Sequence, residues 1–185
     1  MSAMPGWRGI GASALAAIAL LAVGGCAARA PLPLGEKIGS HFIHEHMKAV
    51  VDANFTTLVG GDWTRATIVC GPADGAEIDR ALGFDAIAPT SIQPSNQSMM
   101  LFSNASEVVH RDVVSRDADR SDQQFSPCFT PSSSGQVDGR VTAQVIVVPR
   151  QDARIPLRND EKDLPWPLWY ITGTERAKLQ ARFGS

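Results

Sequence analysis

The sequence has no surplus of either charge, few aromatic residues and only three cysteines, and each shortage narrows what the protein does. Seventeen Lys and Arg stand against 19 Asp and Glu in 185 residues, a net charge of −2. Without a basic surplus there is no electrostatic footprint for nucleic acid, and no acidic block marks a disordered tail. Aromatic residues make up 6% of the chain, and Tyr170 is the single tyrosine. No segment repeats at solenoid spacing. Catalytic signatures are equally scarce: no serine sits in a GxSxG elbow, and the HExxH order of zinc peptidases is absent. GPADGAE, at 71–77, lacks both the phosphate-loop lysine and the dinucleotide glycine spacing. No cofactor is expected, and an enzyme is the less favoured reading.

What is present begins at the N-terminus. MSAMPGWRGIGASALAAIALLAVGGC carries one positive charge, Arg8, then an uncharged run from Gly9 to Gly25 rich in Ala, Leu, Ile and Val. A basic start, an apolar middle and a small-residue end are the layout of a secretory signal. The run is diluted by Gly and Ser and is short of the ~20 strongly apolar residues that a spanning helix needs, so cleavage fits better than anchoring.

The run ends in Val23-Gly24-Gly25-Cys26, which resembles the lipobox of bacterial lipoproteins: an aliphatic residue and two small ones before a cysteine. The resemblance implies that the Cys26 thiol is joined to diacylglycerol, with acyl chains such as palmitate, and that the chain is cut before it. It further implies an exported protein held on the bacterial cell membrane, or on the outer membrane where the cell has one, since Ala27 is not the aspartate of inner-membrane retention. With Cys26 given to lipid, Cys70 and Cys128 remain as an even pair in an oxidising compartment, which favours a disulfide.

The expected organisation is a signal peptide at 1–25, a lipidated cysteine and flexible tether at 26–35, and a single α+β domain at 36–185. The mature chain of 160 residues suffices for one core. That domain is expected to hold one mostly antiparallel sheet of four to five strands, packed with an N-terminal helix and a short helix after the first strand. Ile38, Phe42, Met47, Val50 and Val51 recur at mostly helical intervals and predict a helix over roughly 34–58. TRATIVC, at 64–70, reads as a buried strand. Asp74 with Glu77 three residues on, Ile78 with Leu82 one turn later, and Gly83 then Phe84 spell out a capped helix with a left-handed stop. The loop FDAIAPTSIQPSNQS leads to SMMLFSNASEVVHRDVV, which reads as a hairpin. Residues 115–140 are polar and irregular. RVTAQVIVVPR is a strand with Val141, Ala143, Val145 and Val147 on one face. Pro165 and Pro167 place LPWPLWYIT on a sheet edge, and Thr172 with Glu175 starts a final helix in which Leu179 and Phe183 lie one turn apart.

Four clusters invite a chemical reading beside a plainer one. On a continuous helix His41, His44 and Glu45 share a face and offer two imidazoles and a carboxylate to zinc or copper; otherwise they are its polar flank. Cys70 follows a strand and precedes a helix, as a redox thiol does, but Ala73 stands where a second cysteine would be and Cys128 is the obvious partner. Ser103 or Ser106 with His110 and Asp112 makes a triad on paper only, and His110 with Asp112 a surface pair. Trp166, Trp169 and Tyr170 could form a platform for a glycan or an envelope protein, or fill the core. The preferred function is a membrane-anchored, non-enzymatic binding or scaffolding module. The alternatives are a thiol-dependent redox accessory at Cys70 and weak metal binding through His41 and His44.

Overall fold

A computed structural model describes residues 33–45, 48–87, 97–115, 125–128, 130–131, 137–138, 144–159 and 168–184. The signal segment, Cys26, most of the tether, the proline-rich loop after 87, much of 115–140 and Pro165–Pro167 lie outside them. Residues Pro31–Ser185 belong to one compact unit.

The N-terminal helix is far shorter than its apolar spacing predicts. Helix α1 spans Leu34–His41 and stops after Gly39 and Ser40, both weak helix formers, with one turn of 3-10 helix at Ile43–Glu45 beyond it. Residues Val50–Asn54 form strand β1, with Val51 and Ala53 inward and Val50, Asp52 and Asn54 outward. Val50 and Val51 had extended the helical stripe, but the period here is two. Pairing with β9 (Arg154–Arg158) decides the matter, Val51 opposite Leu157 and Ala53 opposite Ile155. Asn54 then caps a five-residue helix, α2 (Phe55–Val59), by accepting from the Thr56 N–H.

The next elements follow local rules closely. Strand β2 (Arg65–Cys70) is buried on both faces. Helix α3 (Gly75–Leu82) starts with the Asp74 carboxylate accepting from the Glu77 N–H at 2.6 Å. It ends at Gly83, whose φ of +79° is left-handed. Strands β3 (Gln97–Ser103) and β4 (Val108–Ser115) form the expected hairpin, its turn held by the Asn104 side chain accepting from the N–H groups of Ser106 and Glu107. The described residues of the polar stretch after it form three two-residue strands: β5 (Phe125–Ser126), and β6 (Thr130–Pro131) paired with β7 (Val137–Asp138). Strand β8 (Gln144–Pro149) buries Ile146 and Val148 on one face and Val145 on the other, rather than one face alone. Strand β10 (Trp169–Tyr170) precedes α4 (Gly173–Phe183), where Thr172 accepts from the Glu175 N–H as the capping pattern requires.

The fold is α+β and mostly antiparallel, but with two four-stranded sheets where one was expected. The first runs β1-β9-β10-β5, with β10 and β5 parallel; the second runs β4-β3-β2-β8. Strand β10 is therefore interior to its sheet and not the edge that neighbouring prolines suggested. Ala53, Ile155, Leu157, Trp169 and Phe125 of the first sheet meet Ala66, Ile68, Met100, Phe102 and Ile146 of the second in one core, with Leu34, Ile38 and Phe42 of α1. Phe55 lies between the sheets, 6.0 Å from Phe102 and 6.1 Å from Phe125. Trp63 stands edge-on to Phe102 and under the Arg150 guanidinium. On the other face of the second sheet, Ile78 and Leu82 of α3 cover Val69, Met99, Leu101 and Val145. The end of α4 lies against β8, where Gly184 bridges Ile146 and covers the edge of the sheet.

Two substitutions test this account. Asp74→Ala removes the α3 cap and is expected to cost about 1 kcal/mol, read as a lower urea midpoint with unchanged slope. Replacing both Cys70 and Cys128 with Ala opens a loop of 58 residues and is expected to cost about 4 kcal/mol by loop entropy, read from the unfolding free energy in urea, with a steeper slope as the denatured chain expands.

Candidate functional site

Cys70 and Cys128 are bonded, and the bond ties the end of β2 in the second sheet to the residue two beyond β5 in the first. Both sulfurs are buried, at 0% and 1% exposure. An exchange reaction needs a thiolate to reach one of them in line, so this burial counts against Cys70 as a redox centre. The helix start beyond it is poorly suited to an anion: the Asp74 carboxylate takes the Glu77 N–H and sets a negative charge there.

The histidine cluster is not assembled. Because α1 ends at His41, His44 and Glu45 fall in the following 3-10 turn and no longer continue its face. His41 lies edge-on to Phe42, and Glu45 pairs with Lys48 at 3.0 Å. Among the described residues no three His, Cys, Asp or Glu side chains could hold one metal ion. His46 lies outside them.

The aromatic platform is also not a surface. Trp169 is 1% exposed and packs on Phe42 with ring centroids 5.4 Å apart, and Tyr170 is 4% exposed. Interior strand β10 places them in the core, so their area stabilises the fold and cannot dock a partner. Trp166 lies outside the described residues.

The paper triad fails on strand parity. His110 pairs with Phe102, whose ring lies on the core side at 5.8 Å, and the next residue, Ser103, projects to the opposite face. Ser106 is exposed in the turn and bonded to Asn104. His110 and Asp112 do share a face, but they are half-buried, and a third charge that sequence reading missed joins them. Lys37, on α1, acts on both. The Asp112 carboxylate accepts a hydrogen bond from the Leu34 N–H. It thereby supplies the acceptor that Pro33, at the helix cap, does not.

Burial pushes the His110 imidazole below its ordinary 6.5, and the Lys37 ammonium adds to this while Asp112 opposes it. Burial also pushes the Asp112 carboxyl up, against the pull of His110, the Leu34 N–H and Lys37. His110 Nε2 is buried without a hydrogen-bond partner, so a proton added there gains no acceptor. The cluster is suited to holding α1 against β4 with a neutral imidazole, not to moving protons for chemistry.

A buried cation braces the other side. Arg176 of α4 is 8% exposed and donates to the carbonyls of Ile171 at 2.6 Å and Pro127 at 3.4 Å, joining the end of β10 to the residue before Cys128. Burial lowers its pKa. A shallow cavity of about 270 Å³ opens beside it, where Val50 of β1 and Pro156, Leu157 and Arg158 of β9 meet Thr172, Thr174 and Glu175 at the start of α4.

The chain matches no protein-family model, no curated protein and no solved structure.

A pH dependence follows from His110. Its folded pKa lies below its unfolded one, so its contribution is full above about 6.5 and is lost as pH falls toward the depressed value. Asp112 works in the opposite sense at lower pH: its raised pKa favours the fold below 3.8, and that contribution is lost as pH rises through the raised value. The urea midpoint is expected to drop from pH 7 to pH 5.5, and His110→Gln is expected to flatten that slope. An unchanged slope would exclude His110 as its source.

Proposed function

We propose that the protein is an exported lipoprotein, anchored in the bacterial envelope through Cys26, whose α+β domain serves as a non-enzymatic binding or scaffolding module. The observation that carries this reading is the buried Cys70–Cys128 bond. Such cross-links persist in oxidising compartments and are rare where thioredoxin and glutathione reduce them. The pairing also leaves Cys26 as the remaining cysteine, at the position where the lipobox-like segment requires a free thiol. A tether of small residues and prolines would hold the domain clear of the bilayer. Partners are then sought in the envelope, among proteins, glycans and small molecules, rather than among nucleic acids. Among the described residues the metal-binding and redox alternatives have no supporting observation.

The test is mass spectrometry of full-length protein extracted from the membranes of a bacterial host. The expected result is a chain starting at Cys26 and carrying the mass of a diacylglyceryl group, with no such species in Cys26→Ser. An N-terminal peptide that retains Met1–Gly25, or an unmodified Cys26 thiol, would overturn the membrane address.

A further inference from the structure

The cavity between β9 and the start of α4 brings an exposed apolar side chain, a guanidinium and hydroxyl groups together. Its apolar lining is Val50 and Pro156, while Leu157, which also borders it, turns its side chain into the core. Val50 is 47% exposed, one of four large apolar side chains left that open to solvent among the described residues. Arg158 lines the same cavity, lies opposite Val50 in the β1–β9 pairing and forms no ion pair among the described residues. Thr172 and Thr174 add hydroxyl groups. The Thr172 oxygen already accepts from the Glu175 N–H, which leaves its O–H free to donate. Glu175 also lines the cavity, with its charge offset by Lys178 at 2.6 Å.

We infer that this cavity binds an aliphatic monocarboxylate, deepening the reading of the domain as a binding module. A guanidinium fork matches a carboxylate with two parallel hydrogen bonds, and among the described residues no side chain pairs with that of Arg158. The exposed face of Val50 gives the ligand's aliphatic part an apolar contact. The Glu175 charge, only partly offset by Lys178, disfavours a second negative charge near Arg158, so dianionic phosphate binds less well than a monocarboxylate. The volume of about 270 Å³ suits a group the size of one branched amino-acid residue. A peptide C-terminus and a short fatty acid share this chemistry.

The experiment is an NMR titration of the full chain with four probes: N-acetyl-leucine, 4-methylpentanoate, N-acetyl-leucinamide and inorganic phosphate. At least one of the two acids is expected to give saturable shifts at the amides of Val50, Arg158, Thr174 and Glu175. A dissociation constant of about 1 mM is expected, the range open to a ligand of about a dozen heavy atoms. The neutral amide and phosphate are expected to bind at least about tenfold more weakly, and Arg158→Gln to weaken the acid by a similar factor. Tighter N-acetyl-leucine than 4-methylpentanoate assigns the site to peptide termini, and the reverse assigns it to fatty acids. Absence of saturable shifts with both acids, phosphate binding as tight as the acid, or full affinity in Arg158→Gln would overturn the site. None of these outcomes bears on whether Cys26 is lipidated.

Discussion

One covalent bond between the two sheets carries the fold. Cys70 ends β2, an interior strand of the second sheet, and Cys128 follows β5, an outer strand of the first that is two residues long. Two residues paired with two on β10 cannot hold a position through ladder hydrogen bonds alone. The bond supplies what the ladder lacks: it sets Phe125 against Phe55 and Pro127 within reach of Arg176. The aromatic chain from Trp63 through Phe102 and Phe55 to Phe125 then becomes a continuous inter-sheet core.

Around that clamp the chain ends are docked by polar groups instead of long ladders. Helix α1 enters the core through Leu34, Ile38 and Phe42, and the Asp112 carboxylate holds its first turn to β4. Helix α4 buries Arg176 against two carbonyls and brings Gly184 to the edge of β8. Both devices use side chains from one segment to satisfy backbone groups of another, which keeps a small domain closed where its strands are short. The cavity of Val50, Arg158 and Thr174 is a product of the same docking: it opens where α4 departs from the first sheet.

What could be read from the chain was what neighbours in sequence decide. The α3 helix, with Asp74, Glu77 and Gly83, and the β3–β4 hairpin, with its Asn104 turn, follow from residues within a few positions of one another. The cysteine pairing followed from an even count after one assignment. The first sheet was not legible. β1 continues a helical stripe from Ile38, and only the distant segment RIPLR makes it a strand. That partner carries Pro156 and two arginines, a composition that reads as a charged loop. The candidate sites divide in the same way. His110 and Asp112 share a face by simple alternation, but Lys37 and Leu34 reach them from far earlier in the chain. Trp169 and Tyr170 stand between a surface platform and the core in sequence, and β10, lying between β9 and β5, puts them in the core.

The role of the clamp is tested most directly by residue-resolved hydrogen exchange on the native protein and on the Cys70→Ala/Cys128→Ala variant. With the Cys70–Cys128 bond absent, protection should fall most at Phe125, Ser126, Trp169 and Tyr170, and at Ile68 and Met100 only by the smaller amount that the lower global stability imposes. Equal loss of protection in both sheets, or none at β5 and β10, would contradict the claim that the bond is what joins them.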